Sequence, residues 1–101
     1  MITRIWHGWT APANANAYEQ LLRAEILPRI GGLAGCRGIY LLRRDAGAEV
    51  EFVTILLFDS LEAVRAFAGP DYETAVVPPE ARRLLARFDA KSVHYETLLQ
   101  P

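Results

Sequence analysis

The chain has 101 residues, with 11 Lys+Arg against 12 Asp+Glu, a formal net charge of -1 and 51% hydrophobic residues; this is the size and balance of one globular domain, residues 1–101, that folds without metal or disulfide staples. Two-domain enzymes and solenoids are excluded by length. With no basic run longer than the pairs Arg43/Arg44 and Arg82/Arg83, the sequence lacks the electrostatic footprint of a nucleic-acid or anionic-membrane partner.

Thr3 to Trp9 reads as a first strand, because Ile5, His7 and Trp9 alternate against Arg4, Trp6 and Gly8. Thr10-Ala11-Pro12 ends it. A helix beginning between Pro12 and Ala15 carries the stripe Tyr18, Leu21, Leu22, Ile26, and Pro28 ends or kinks it. The glycine-rich loop before Cys36 leads into a second strand, Cys36 to Arg44, and Asp45-Ala46-Gly47 turns the chain into a third, Glu49 to Phe58. Asp59-Ser60 caps a second helix with Leu61, Val64, Phe67 and Ala68 on one side, stopped by Gly69-Pro70. After an irregular stretch through Val76-Val77-Pro78-Pro79 come a helical turn from Glu80 to about Arg87 and a last strand from Ser92 to Leu99. The order β-α-β-β-α-β predicts an α+β, ferredoxin-like split βαβ fold. Its four antiparallel strands take the spatial order 4-1-3-2, with both helices on one face.

Both faces of the third strand are apolar, Phe52, Leu56 and Phe58 on one side and Val53, Ile55 and Leu57 on the other. Two helices cover only one face of such a sheet, so the second predicts a homodimer with sheets packed face to face. The single Cys36 cannot close an internal disulfide and reads as a small buried hydrophobe. With no signal-peptide core at the N-terminus, this points to the cytoplasm.

No metal-type Cys/His spacing, phosphate-cradling glycine loop or nucleophile elbow is present. Chemistry therefore rests on a constellation. His7 is the candidate general base or orienting donor at a cleft between sheet and helices. The last strand is expected to lie beside the first with residues 92 to 95 opposite 7 to 10, so His94 in one register, or Tyr95 after a one-residue slip, would adjoin His7. Glu25 falls within the apolar stripe of the first helix; it is either desolvated, with a raised pKa, or reaches the rim to pair with Arg23 or Arg29. Trp6, Trp9, Tyr18, Tyr40, Phe58 and Phe67 are candidates to line a flat pocket for an aromatic ligand, or are core.

The element order, the opening Arg4-Ile5-Trp6-His7-Gly8, the segment Phe58-Asp59-Ser60-Leu61-Glu62-Ala63 before Phe67, and the closing His94-Tyr95-Glu96 together resemble the antibiotic biosynthesis monooxygenase-like proteins of the dimeric α+β barrel superfamily. The resemblance covers nearly the whole chain. It implies a homodimer with a cleft between helices and sheet in each subunit, and either oxygenation of polycyclic aromatics without metal or flavin or the binding and degradation of haem. Where the aromatic oxygenases use an Asn and a Trp on the third strand and a Tyr in the next helix, this chain has Thr54, Phe58 and Val64. Where the haem degraders use a first-strand Asn, a second-helix Trp and a following His, it has His7, Phe67 and Val76 or Val77. Neither set is present. The expectation is an enzyme without a bound cofactor that acts on a small aromatic or hydrophobic molecule, with His7 and His94 as catalytic residues. The alternative is a non-catalytic dimeric binding or structural module, since fold does not fix function.

Overall fold

In the computed structural model, which describes Met1–Pro101, the predicted period-2 segments form strands β1 (Ile2–Thr10), β2 (Cys36–Ala46) and β3 (Glu49–Phe58). They pair antiparallel in the order β2-β3-β1. The two-residue connection Gly47-Ala48 sets the β2–β3 hairpin, and Gly47 takes φ 75°, the positive value that a tight hairpin turn demands at its first central position. Beyond β1 the sheet edge is shared by two short strands, β4 (Leu85–Phe88) and β5 (Val93–Glu96), which pair with opposite halves of β1.

The five-stranded sheet corrects two expectations. The segment from Glu80 to Arg87 is helical only over Pro79–Arg82 (α4) and then turns into β4. Because β4 occupies the edge beside Gly8 to Thr10, β5 is displaced to the start of β1: His94 faces Arg4 and Tyr95 faces Thr3. Neither lies opposite His7.

Between β1 and β2 a single helical run changes pitch three times. It passes from a 3₁₀ turn (Pro12–Asn14) through α1 (Ala15–Leu21) and a π-helical turn (Leu22–Ile26) to α2 (Leu27–Gly31). Pro28 does not end it. Proline has no N–H for the carbonyl four residues back and its ring collides with that carbonyl; widening the preceding turn, where the Leu27 N–H bonds the Leu22 carbonyl, lets the helix pass the proline. α3 (Leu61–Ala68) begins at Ser60, whose side chain accepts the Ala63 N–H at 3.2 Å. All of these helices pack on one face of the sheet, over Val50, Phe52, Leu56 and Phe58 of β3. The other face carries Ile5, His7, Trp9, Val53, Ile55 and Leu57, and no element covers it.

Candidate functional site

Strand alternation decides which side chains meet the helices. On β1 these are Arg4, Trp6, Gly8 and Thr10, paired across the ladder with Leu56, Thr54, Phe52 and Val50 of β3. Between this face and the helices lies a cleft of about 50 Å³. It is narrow. Its floor is Arg4, Trp6, Thr54 and Leu56; its walls are Tyr18, Leu22 and Ile26 of the first helical run, Phe67 of α3, and Val76-Val77-Pro78 of the strap before α4. The π-helical turn thus presents Leu22 and Ile26 to the cleft, a placement π-bulges often have at functional sites. The Trp6 indole is anchored by its N–H, which donates to the Asp89 carbonyl at 2.7 Å.

The cleft's charge comes from Arg4, buried with 3% of its surface exposed. Its Nη1 donates to the Tyr72 carbonyl and to His94 Nε2 (3.0 Å), and its Nη2 donates to the Thr74 carbonyl at 3.2 Å. The guanidinium also lies 5.4 Å from the Phe67 ring centroid. Burial lowers its pKa to about 10, so it stays cationic at neutral pH. Since arginine only donates, His94 Nε2 must accept, which fixes His94 as the neutral tautomer with its proton on Nδ1. That Nδ1 is buried without a partner. Burial first, then the Arg4 charge, lowers the His94 pKa against a weaker opposing pull from Glu73. Burial also raises the Tyr18 pKa far above its ordinary value, so Tyr18 enters the cleft as a phenol.

The predicted site residues separate into three groups. Tyr18 and Phe67 line the cleft; Phe58 stacks beneath Phe67 with ring centroids 5.6 Å apart, and His94 stands behind Arg4. His7, Trp9, Tyr40 and Tyr95 lie on the opposite sheet face, so His7 does not face the helices as expected. Glu25 is 57% exposed beside Arg29 at 4.0 Å, the rim arrangement rather than a desolvated acid. The sequence reading missed Glu51, whose Oε2 accepts from His7 Nδ1 at 2.8 Å while Oε1 accepts from Arg44 Nε at 2.6 Å. It also passed over Arg4 as a site residue. The phase of β1 puts Arg4 on one face with Trp6 and Gly8, but with both faces of β3 apolar that phase does not tell which face meets the helices.

No family model matches the chain, and no curated protein sequence matches it. Solved structures do. A Bacillus cereus protein assigned by name to the antibiotic biosynthesis monooxygenases superposes with a TM-score of 0.67 at 13% identity, covering 99% of this chain and 93% of that one. The heme degrader MhuD from Mycobacterium tuberculosis, solved with two hemes in its active site, gives 0.63 at 20% identity over 100% and 99%. This chain has the antibiotic biosynthesis monooxygenase-like fold. A third structure, that of Rv0793 from Mycobacterium tuberculosis, gives 0.62 at 21% identity over 98% and 96%.

Within this monooxygenase-like fold, the first-strand side chains that reach the cleft are Arg4 and Trp6, not His7. Heme, which MhuD binds, does not fit these residues. His94, behind Arg4, has its Nε2 engaged by Arg4 and its proton on Nδ1, Tyr18 is held as a neutral phenol, and no imidazole or thiol lines the cleft. No group of three or more His, Cys, Asp or Glu side chains is placed to hold a metal ion. No helix is long and apolar enough to cross a membrane.

Proposed function

We propose that the chain is a monooxygenase-like enzyme that takes a slim, flat, apolar molecule into the cleft between sheet and helices and oxygenates it without a resident cofactor. The observation that carries this reading is the cleft itself: 11 of its 15 lining residues are hydrophobic, with aromatic faces from Trp6, Tyr18 and Phe67 and few polar groups, the usual make-up of a small-molecule site. Oxidation of a ring methylene to a carbonyl by O₂ puts one oxygen in the product, releases the other as water and draws all four electrons from the substrate, so no external reductant is needed. The reaction requires an ionised substrate.

Oxygen uptake with anthrone as probe, above the uncatalysed rate, and incorporation of one labelled oxygen atom from ¹⁸O₂ test this. Both should disappear in Val76→Trp, which fills the mouth of the cleft from an exposed position. One observation favours a second reading, a binding module without catalysis: neither histidine offers a free ring nitrogen to the cleft. Binding of anthrone with no oxygen uptake would establish that reading instead. The working unit in either case is a homodimer joined through the uncovered sheet face.

A further inference from the structure

The cleft's single cation has no counter-charge. Six arginines, Arg23, Arg29, Arg37, Arg43, Arg44 and Arg87, have a carboxylate within 4.0 Å. Three others, Arg65, Arg82 and Arg83, are exposed and solvated. Arg4 alone is buried and unpaired: its partners are two carbonyl oxygens and a neutral imidazole nitrogen. A buried guanidinium without an anion is an unfavourable arrangement, and natural proteins pair such groups. Of its five N–H donors, three are used inside the protein. The Nε–H and the second Nη2–H make no bond there, and the group borders the cleft. Two free N–H groups on adjacent nitrogens suit the two oxygens of a carboxylate or the one of an ionised hydroxyl. Phe67 on the guanidinium face, and the carbonyls of Tyr72 and Thr74, hold it in place before any ligand arrives.

We propose that the cleft selects an organic anion, an apolar molecule bearing one carboxylate or ionised hydroxyl group that is clasped by Arg4. His94 is then a positioning residue: by accepting from Nη1 as a neutral imidazole it orients Arg4 without neutralising the charge. The inference rests on the cleft being the ligand site and adds the charge of the ligand. For an oxygenase of ionised substrates, the same contact stabilises the substrate anion in the absence of a base in the cleft.

Calorimetric titration at about pH 8, where both acids are ionised, tests it with two matched pairs: benzoate against benzamide for the carboxylate, and 4-nitrophenolate against 4-nitroanisole for the hydroxyl. The expected result is binding of at least one anion tenfold or more tighter than its neutral partner, with the preference lost in Arg4→Met and retained in Arg4→Lys. The comparison within the unmodified protein stands even where Arg4→Met fails to fold. Equal binding within both pairs, or a preference that persists in folded Arg4→Met, overturns the inference. Neutral and anionic probes bound equally would leave the cleft as a ligand site while removing its charge selectivity, whereas failure of all four probes to bind would remove both readings.

Discussion

Glu51 accepts from two side chains at once, His7 on β1 and Arg44 on β2, and the His7 bond followed by the Arg44 bond holds its carboxyl below the usual carboxylate range. A carboxyl with a lower pKa folded than unfolded stabilises the native state fully above the unfolded value, near 4.3, and this contribution is lost as pH falls through the folded value. Thermal melts should therefore show wild-type stability dropping more steeply below about pH 4 than that of Glu51→Gln, which has nothing there to protonate. Glu19 and Asp59 are also held low by arginines, so only part of the acid sensitivity disappears. Identical slopes for the two proteins would show that the His7–Glu51–Arg44 group contributes nothing. At this scale the sequence was legible where helical periodicity decides: Tyr18 in the stripe of the first helix and Phe67 in that of the second are among the candidate pocket residues, and both line the cleft. It failed where pairing decides. His7 was assigned to the cleft because a histidine on a strand invites a catalytic reading, while its partner Glu51 lies 44 positions away across the sheet and no local pattern joins them.

Elements were most readable where punctuation and periodicity agree. β3 occupies Glu49–Phe58 as read, and α3 starts at the Ser60 cap and stops before Gly69. β4 was missed because Ala81, Leu84, Leu85 and Phe88 have helical spacing; pairing with Gly8 to Thr10 overrode that local pattern, and the displaced β5 took the histidine register with it. The seating of α3 supplies a prediction. Gly35 sits at φ 90°, and a Cβ added there would lie 2.8 Å from the Ala63 Cβ on α3, so Gly35→Ala combines backbone strain with a collision. Urea denaturation should show a loss of about 1–3 kcal/mol from each source. In a double-mutant cycle with Ala63→Gly, which removes the opposing methyl, the collision part should be recovered as a coupling energy; strict additivity would mean that α3 shifts freely. Ser60→Ala, which removes the cap, should lower stability by about 1 kcal/mol and loosen the helix that carries Phe67 over Arg4.

For the whole molecule, one chain leaves too much apolar surface in water. Only 15 of 101 residues are buried, although 51% are hydrophobic. The excess is concentrated: on the sheet face away from the helices, Leu42 is 46% exposed, Tyr40 48%, Val93 52% and Tyr95 55%, flanking half-buried Val53, Ile55 and Leu57 of β3. A monomer rarely exposes a continuous apolar patch of this kind, and a two-fold axis lets the same patch cover itself. Sedimentation should accordingly give a species of twice 11.3 kDa. Leu42→Glu, which places a carboxylate opposite Val53 on that face, should convert it to monomer, because an unpaired charge in an apolar interface is not tolerated. The residues named as floor and walls of the cleft lie on the helix side of the sheet, away from that face. If the dimer only covers the sheet, the Leu42→Glu monomer will be less stable yet keep the anion preference set by Arg4. If that preference vanishes while Arg4 is untouched, packing of the second sheet behind β1 and β3 is what holds the cleft floor in shape. A wild-type protein that sediments at 11.3 kDa at every concentration would rule out the dimer.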